Sequence, residues 1–458
     1  MLLSSLPALP RSRALVGFCL FSLAFLSPAL RAGEASPAAE TITTPAPTPP
    51  AATDDIQPAE KPLEALFFAT LQAPNLDWWT HIPPNTGPHI QSVSKIYRGQ
   101  EFILLPFAVR YARDADSRYA LSYGIRQTIP AQDATTLMSD EKIEGVSPSS
   151  YFMIPIPRFP IITMEESDPY GSYGFAFEVE DKLSGQRADK EVTFELIPWE
   201  NPEPLPDRQA IGEGMMKFYR THDPKWLFAA YQSPALDMVQ DHTPTGYNSS
   251  SLYFFKTAFA HNKFLLPHLR AAFADNSEQQ RLNTLLLLAV LDEEPMPDEA
   301  LSQTERDYQA DCRTLKLLDP YGPIQTPDQL DMLWGEFFAT GTYAPIGHLV
   351  TALNLKSYSD ALKKMKAESK RPETEEEQRD VRLGLTFSAA VWSIMANCRQ
   401  HELVKQYCGW ALEHNDQRDD GKLMLAVIMS EVWPERYKLN RPEKDAESTP
   451  DDSEAQAD

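Results

Sequence analysis

The feature that most constrains this chain is a change of hydrophobic period at a proline-rich joint. Between Ile90 and Leu196 large apolar side chains recur at every second position, and beyond Asn201-Pro202-Glu203-Pro204-Leu205-Pro206 they recur every three or four. The first spacing lines one face of a strand and the second one face of a helix. A sheet-built region over 63–200 and a helix-built region over 207–438 are therefore predicted, with a short, stiff linker between them. The fold class is multidomain α+β.

In the first region, Phe102 to Ala112 is mostly apolar, as a buried strand should be, and Pro106 predicts an edge position or a bulge. Tyr119, Leu121, Tyr123 and Ile125 alternate with Ala120, Ser122, Gly124 and Arg126, the pattern of a half-buried strand. Tyr173, Phe175, Phe177 and Val179 alternate with Gly174, Ala176, Glu178 and Glu180, a polar turn spans Asp181 to Lys190, and Val192, Phe194 and Leu196 make the return strand. Together these predict an N-terminal antiparallel β-sandwich with its core over 88–198.

In the second region, Leu282, Leu285, Leu286 and Ala289 share a helical face while Leu287, Leu288, Val290 and Leu291 fill much of the rest, which predicts a central, buried helix. Thr326-Pro327 is an N-cap followed by a first-turn proline, Leu330, Leu333, Trp334, Phe337 and Phe338 form one stripe, and Gly341 marks the end. Leu383, Phe387, Ala390, Val391 and Ile394 repeat the spacing, as do Leu403, Val404, Tyr407 and Ala411 after a polar break at Arg399 to Glu402. Four helix ends are each followed by a short polar turn and a new apolar helix, over Phe218 to Trp226, Phe259 to Leu269, Phe338 to Leu349 and Met395 to Val404. Their separations are irregular, so the prediction is a degenerate array of helical hairpins or an irregular bundle.

The ends of the chain read differently. Arg11 and Arg13 precede an apolar stretch from Ala14 to Leu26 and then small residues, the order of a secretory signal over 1–32, cut after Ala29 or Ala32. That stretch is shorter than the roughly 20 apolar residues a membrane span needs, and no later segment is long and apolar enough. Residues 33–62 form a Pro/Ala/Thr-rich linker and 439–458 an acidic tail, both predicted disordered. The expected address is exported, periplasmic or secreted. A net charge of −23 repels nucleic acid and anionic lipid, so neither is an expected partner.

Of the 4 cysteines, Cys19 lies in the signal and Cys312, Cys398 and Cys408 remain. Three allow one disulfide at most. Across a hairpin turning near Gln400, Cys398 and Cys408 would lie at unequal depths, and helix axes stand roughly 8 to 10 Å apart. Two separate buried thiols are therefore expected.

No pattern in the sequence specifies catalysis. Gly-x-Ser-x-Gly, phosphate-cradling glycine loops, His-Glu-x-x-His and Cys-x-x-Cys are absent, and Asp416 to Gly421 lacks the ligands of a calcium loop. Ser92-Val93-Ser94-Lys95 matches Ser-x-x-Lys but reads as strand, where serine and lysine would not share a helical turn. His261 and His268 are seven residues apart, with Pro267 between them breaking a helix. No cofactor, catalytic residue or metal ligand is predicted. Trp78-Trp79 is the one candidate binding feature, a stacking platform for sugar rings or for a partner's apolar surface, with packing of the lead-in segment as its plainer role.

The stretch from Gly171 to Leu196, with its Tyr-x-Phe-x-Phe-x-Val-x-Asp run and Ser184-Gly185 turn, resembles the immunoglobulin-like accessory domains of exported bacterial proteins. Residues 327–341 and Ala396-Asn397-Cys398-Arg399-Gln400-His401 are similar to segments of uncharacterised exported bacterial proteins, and the helical region is similar to a worn tetratricopeptide-type solenoid. These resemblances imply a fold and a binding or spacing role, with no characterised family and no catalytic residues. The expected function is that of an exported, non-enzymatic interaction or scaffold protein whose partner is a protein. The alternative is an exported hydrolase or metal-dependent enzyme with a site assembled from dispersed residues of the helical region, around His222, Asp223, Asp241 and His242.

Overall fold

A computed structural model of the chain describes residues 62–71, 90–129, 135–146, 153–240, 242–368, 371–414 and 419–438. The signal over 1–32, nearly all of the linker over 33–62, the Trp78-Trp79 pair, Asp241 and the tail over 439–458 lie outside the described residues. The described chain is mixed α+β, with open, mostly antiparallel sheets first and a helical region after them.

Among the described residues nine strands form two sheets. One is built from β1 (Glu64–Thr70), β3 (Glu101–Val109), β6 (Met153–Pro155) and β7 (Ile161–Thr163), and the other has the order β2 (Lys95–Tyr97), β9 (Arg187–Ile197), β8 (Gly171–Asp181), β4 (Arg118–Ile129), β5 (Thr136–Val146). The sheets pack face to face, with Phe67 5.7 Å from Phe177 and Phe102 4.8 Å from Phe194 between ring centroids. Two sequence expectations are corrected here. The pairing is not wholly antiparallel, because β2 crosses to the second sheet and runs parallel to β9. The core also begins before residue 88, because β1 pairs along its whole length with β3 and buries Ala65, Phe67 and Ala69 between the sheets.

The turn between β8 and β9 is shorter than its polar residues suggested, with the return strand beginning at Arg187 rather than after Lys190. Polarity misled because Arg187, Asp189 and Lys190 are exposed strand residues, and only Ala188 of that stretch packs toward the core. Asp181 closes the turn from a buried position, accepting from the Leu183 N–H at 2.9 Å, the Ser184 hydroxyl at 2.8 Å and the Ala112 N–H at 2.6 Å. Gly185 supplies the left-handed residue, with φ of 73°.

Strand β3 connects the two regions. Phe102, Leu104 and Ala108 face the second sheet, while Ile103, Leu105 and Phe107 join the core of the helical region, and Leu66 and Phe68 of β1 pack beside them. This explains the near-continuous apolar run, since a strand covered on both faces has no polar side. It also overturns the edge reading of Pro106, because β3 is central, with β1 on one side and β6 and β7 on the other. The strand opposite is split at that point. β7 pairs with Glu101 to Ile103 and β6 with Phe107 to Val109, while the Pro106 carbonyl accepts from the Ile156 N–H at 3.1 Å in the gap. The missing proline N–H falls where no regular ladder bond is due.

The chain is anchored on either side of the mostly exposed linker. Trp199 stands with its ring centroid 4.9 Å from Tyr97 of the sheets and 5.6 and 5.8 Å from Phe228 and Phe264 of the helices. Leu205 is held at both ends, its N–H on the Ala229 carbonyl at 3.1 Å and its carbonyl under the Ser233 hydroxyl at 2.7 Å. Replacing Trp199 by alanine is expected to lower the unfolding free energy by about 2 kcal/mol, measured by urea titration against the parent chain.

Twelve helices follow among the described residues: α1 (Arg208–Thr221), α2 (Pro224–Tyr231), α3 (Ser249–Ala260), α4 (Leu266–Ala272), α5 (Glu278–Val290), α6 (Gln303–Thr314), α7 (Pro327–Thr340), α8 (Tyr343–Leu349), α9 (Lys356–Ala367), α10 (Glu375–Gln400), α11 (Glu402–His414) and α12 (Asp419–Val432). α7 begins and ends where Thr326-Pro327 and Gly341 predict, and it is the centre of the region, with nine buried residues. α1, α3 and α7 run side by side in one direction. Asp328 at the start of α7 bears on Tyr247 just before α3, Gly335 lies against Ser250 and Phe254, and Phe218 and Tyr219 at the end of α1 meet Phe254 and Phe337 at 5.4 and 5.1 Å.

Candidate functional site

Because these helices are parallel and in register, their C-terminal ends converge. α1 stops at His222, which takes a left-handed φ of 45° and closes its N–H on the Phe218 carbonyl at 2.8 Å. Asp223 then caps α2 by accepting from the Lys225 N–H at 2.9 Å. α7 stops at Gly341, with φ of 68° and its N–H on the Phe337 carbonyl. α3 ends in His261, and α10 ends in His401, whose N–H reaches the Asn397 carbonyl at 2.8 Å. Helix C-termini carry unpaired carbonyls and negative partial charge, so histidine, a donor when neutral and a cation when protonated, suits such a place.

His222 hydrogen-bonds the Thr340 backbone and faces His261. Burial pushes its pKa down to about 4, and His261 acts in the same direction. His401 is 5% exposed and sits 3.2 Å by Nδ1 from the Tyr219 hydroxyl. The Arg220 guanidinium donates through Nε to that hydroxyl at 2.8 Å, so the Tyr219 oxygen links the guanidinium to the imidazole. His401 Nε2 has no hydrogen-bond partner among the described residues. Burial first, and Arg220 second, push the His401 pKa down to about 4. Among the described residues Arg220, Tyr219 and His401 thus form one hydrogen-bond chain.

Both histidines therefore tie stability to pH. Their folded pKa lies below the ordinary 6.5, so the unfolded chain binds more protons between about 4 and 6.5, and stability is lost as pH falls through that window. His401→Gln is expected to flatten this loss by about a third to a half, read from thermal midpoints at pH 4.5 and 7.5.

Of the residues named for the alternative enzyme site, Asp241 lies outside the described residues and the other three have separate places. His222 lies in the helix-end cluster, Asp223 is spent as a cap, and His242 is an exposed turn residue with φ of 52°. His261 and His268 are separated by the break between α3 and α4, the first facing His222 and the second lying 5.5 Å from Trp199. Ser94 and Lys95 enter β2 beside Glu195, in strand geometry. No group of three His, Cys, Asp or Glu side chains among the described residues is arranged to hold a metal ion.

Near the start of α7 stand Asp328 and Asp331, one turn apart. Burial, then Asp328, pushes the Asp331 pKa up to about 7. No hydrogen bond or ion pair satisfies its carboxylate among the described residues, and sequence periodicity gave no sign of it.

The helical surface offers a different feature. α10 buries Leu383, Phe387, Ala390 and Ile394 on one side and turns Leu385, Trp392 and Ala396 to another, where Leu385 is 39% and Trp392 36% exposed. Exposed arginines, Arg382 and Arg399, bound this apolar stripe about 25 Å apart. Neither arginine is in an ion pair among the described residues, although the chain carries a net charge of −23.

Among the described residues no helix is long and apolar enough to cross a membrane. No protein-family model matches the chain, and no curated protein matches it. Among solved structures it is similar to native alpha-2-macroglobulin from Escherichia coli, in a crystal structure spanning domain MG7 to the C-terminus. The identity is 11%, the match covers 81% of this chain and 66% of that one, and the TM-score is 0.19, a value that does not establish a shared fold.

Proposed function

We propose that this chain is an exported, non-enzymatic interaction protein. In this reading residues 1–32 deliver it, the facing sheets are an immunoglobulin-like sandwich, and the helices are a degenerate hairpin array that presents α10 to a protein partner. The observation that carries it is the α10 stripe, a Leu and a Trp one heptad apart on an exposed face, bounded by two free arginines. A large aromatic and an arginine are the side chains that most often anchor protein contacts. The spacing and charge fit an amphipathic helix from a partner, with apolar residues along one face and carboxylates near both ends.

A photo-reactive amino acid placed at 392 tests this in the producing cell. A discrete protein adduct from position 392, with none from position 183 on the β8–β9 turn, supports the reading. Equal adducts from both positions, or none from either, contradict it.

A further inference from the structure

α10 is complementary to itself when reversed. Along its exposed face Leu385, Trp392 and Arg399 recur one heptad apart, the spacing of a seam between two helices. α7, α9, α11 and α12 pack against its other faces. Ser388 lies exposed midway between Leu385 and Trp392, and its hydroxyl is satisfied within the helix by the Gly384 carbonyl at 2.9 Å. Glu375, Glu376 and Glu377 occupy the first turn, and Arg399 stands in the last. The helix therefore carries acid at one end, base at the other, and a Leu and a Trp at equal distances from the level between Ser388 and Ala389.

We infer that the occupant of the stripe is α10 of a second copy of this chain, laid antiparallel about a two-fold axis between Ser388 and Ala389, a partner identity that rests on reading the stripe as an interaction face. In this arrangement Leu385 of each copy lies level with Trp392 of the other, so both exposed apolar side chains are covered at once. Ser388 meets its own copy beside the axis, where a small side chain with no unpaired donor lets helices approach to the usual roughly 8 to 10 Å. Arg399 comes level with Glu377 of the second copy. That carboxylate is held in place by its own chain, with Oε2 accepting from the Glu373 and Thr374 N–H groups at 2.7 and 3.2 Å. Arg382, leaning toward its own N-terminus as helical side chains do, approaches the C-terminal turn of the facing helix, whose unpaired carbonyls are negative. A parallel arrangement would instead set Arg382 on Arg382 and Arg399 on Arg399, which repel. The two-fold contact uses the same patch on both copies and closes at two chains.

Sedimentation equilibrium of the purified full chain over a concentration series tests the pairing, and cysteine cross-linking tests its register. The expected mass is that of two chains, falling to one on dilution, and one chain throughout for Leu385→Glu/Trp392→Glu. Under mild oxidation Ser388→Cys should form a disulfide-linked dimer, since Cys312, Cys398 and Cys408 are free thiols buried in the core. Arg382→Cys, whose two copies would stand about 20 Å apart along the helix axes, should form at least about tenfold less. A single-chain mass at every concentration, a two-chain mass that the stripe variant keeps, or equal cross-linking at 388 and 382 would overturn the pairing. A single-chain mass together with a photo-adduct from position 392 to a different protein would remove the second copy as partner and leave the interaction reading standing, whereas a single-chain mass with no adduct would remove both.

Discussion

Gly335→Ala is expected to destabilise the protein by about 3 kcal/mol or more, although alanine normally stabilises a helix interior by about 1 kcal/mol over glycine. The sign reverses because α7 and α3 touch through their backbones at this point. A Cβ on Gly335 would overlap the Ser250 carbonyl oxygen and crowd the Phe254 N–H, and neither can move without displacing a helix. Pushing α7 outward would also loosen the packing of Phe337 and Phe338 on Tyr219, at 5.1 and 6.4 Å between ring centroids, and with it the chain from Arg220 to His401. Chemical denaturation of the variant beside the parent gives the size of the effect, and a neutral or stabilised variant would show that the two helices have room between them.

The second large effect is at Asp331. Its pKa lies at about 7 when folded against an ordinary 3.8, so the folded chain keeps a proton that the unfolded chain gives up. Stability contributed by this group is present below about pH 4 and lost as pH rises to about 7. Above that, the ionised carboxylate weakens the folded state, with Asp328 one turn away adding to the effect. Asp331→Asn is expected to raise the thermal midpoint by several degrees at pH 8 and leave it nearly unchanged at pH 4, measured by calorimetry at both. The helix-end histidines act in the opposite direction over an overlapping window, so the parent shows a damped pH profile and the variant a steeper rise from pH 4 to 7.

Local signals carried the architecture further than they carried the site. The strands around Tyr123 and Phe177, and the α7 boundaries at Thr326 and Gly341, were legible because period and capping chemistry are local. Pro106 was misread because its meaning depends on a break in a neighbouring strand some fifty residues away in the chain. The four helix ends were also visible, and three of them carry a histidine at the stop, at 222, 261 and 401. Their convergence was not visible, because it follows from α1, α3 and α7 packing parallel around Gly335. Exposure of Leu385 and Trp392 was hidden for a related reason: α10 is apolar on more than one face, and only its neighbours decide which face is covered.

The most direct test of the proposed role is the apparent size of the tagged chain in gentle extracts of its producing cells, for the parent, for Leu385→Glu/Trp392→Glu, and for a control pair at Leu318 and Tyr321, which are 43% and 40% exposed. Because the stripe is exposed, the purified double variant should keep a thermal midpoint within about 3 °C of the parent. The account predicts that the parent and the control migrate well above the size of a single chain and that the stripe variant migrates as a single chain. Equal migration of all three, or a stripe variant that fails to fold, would contradict it.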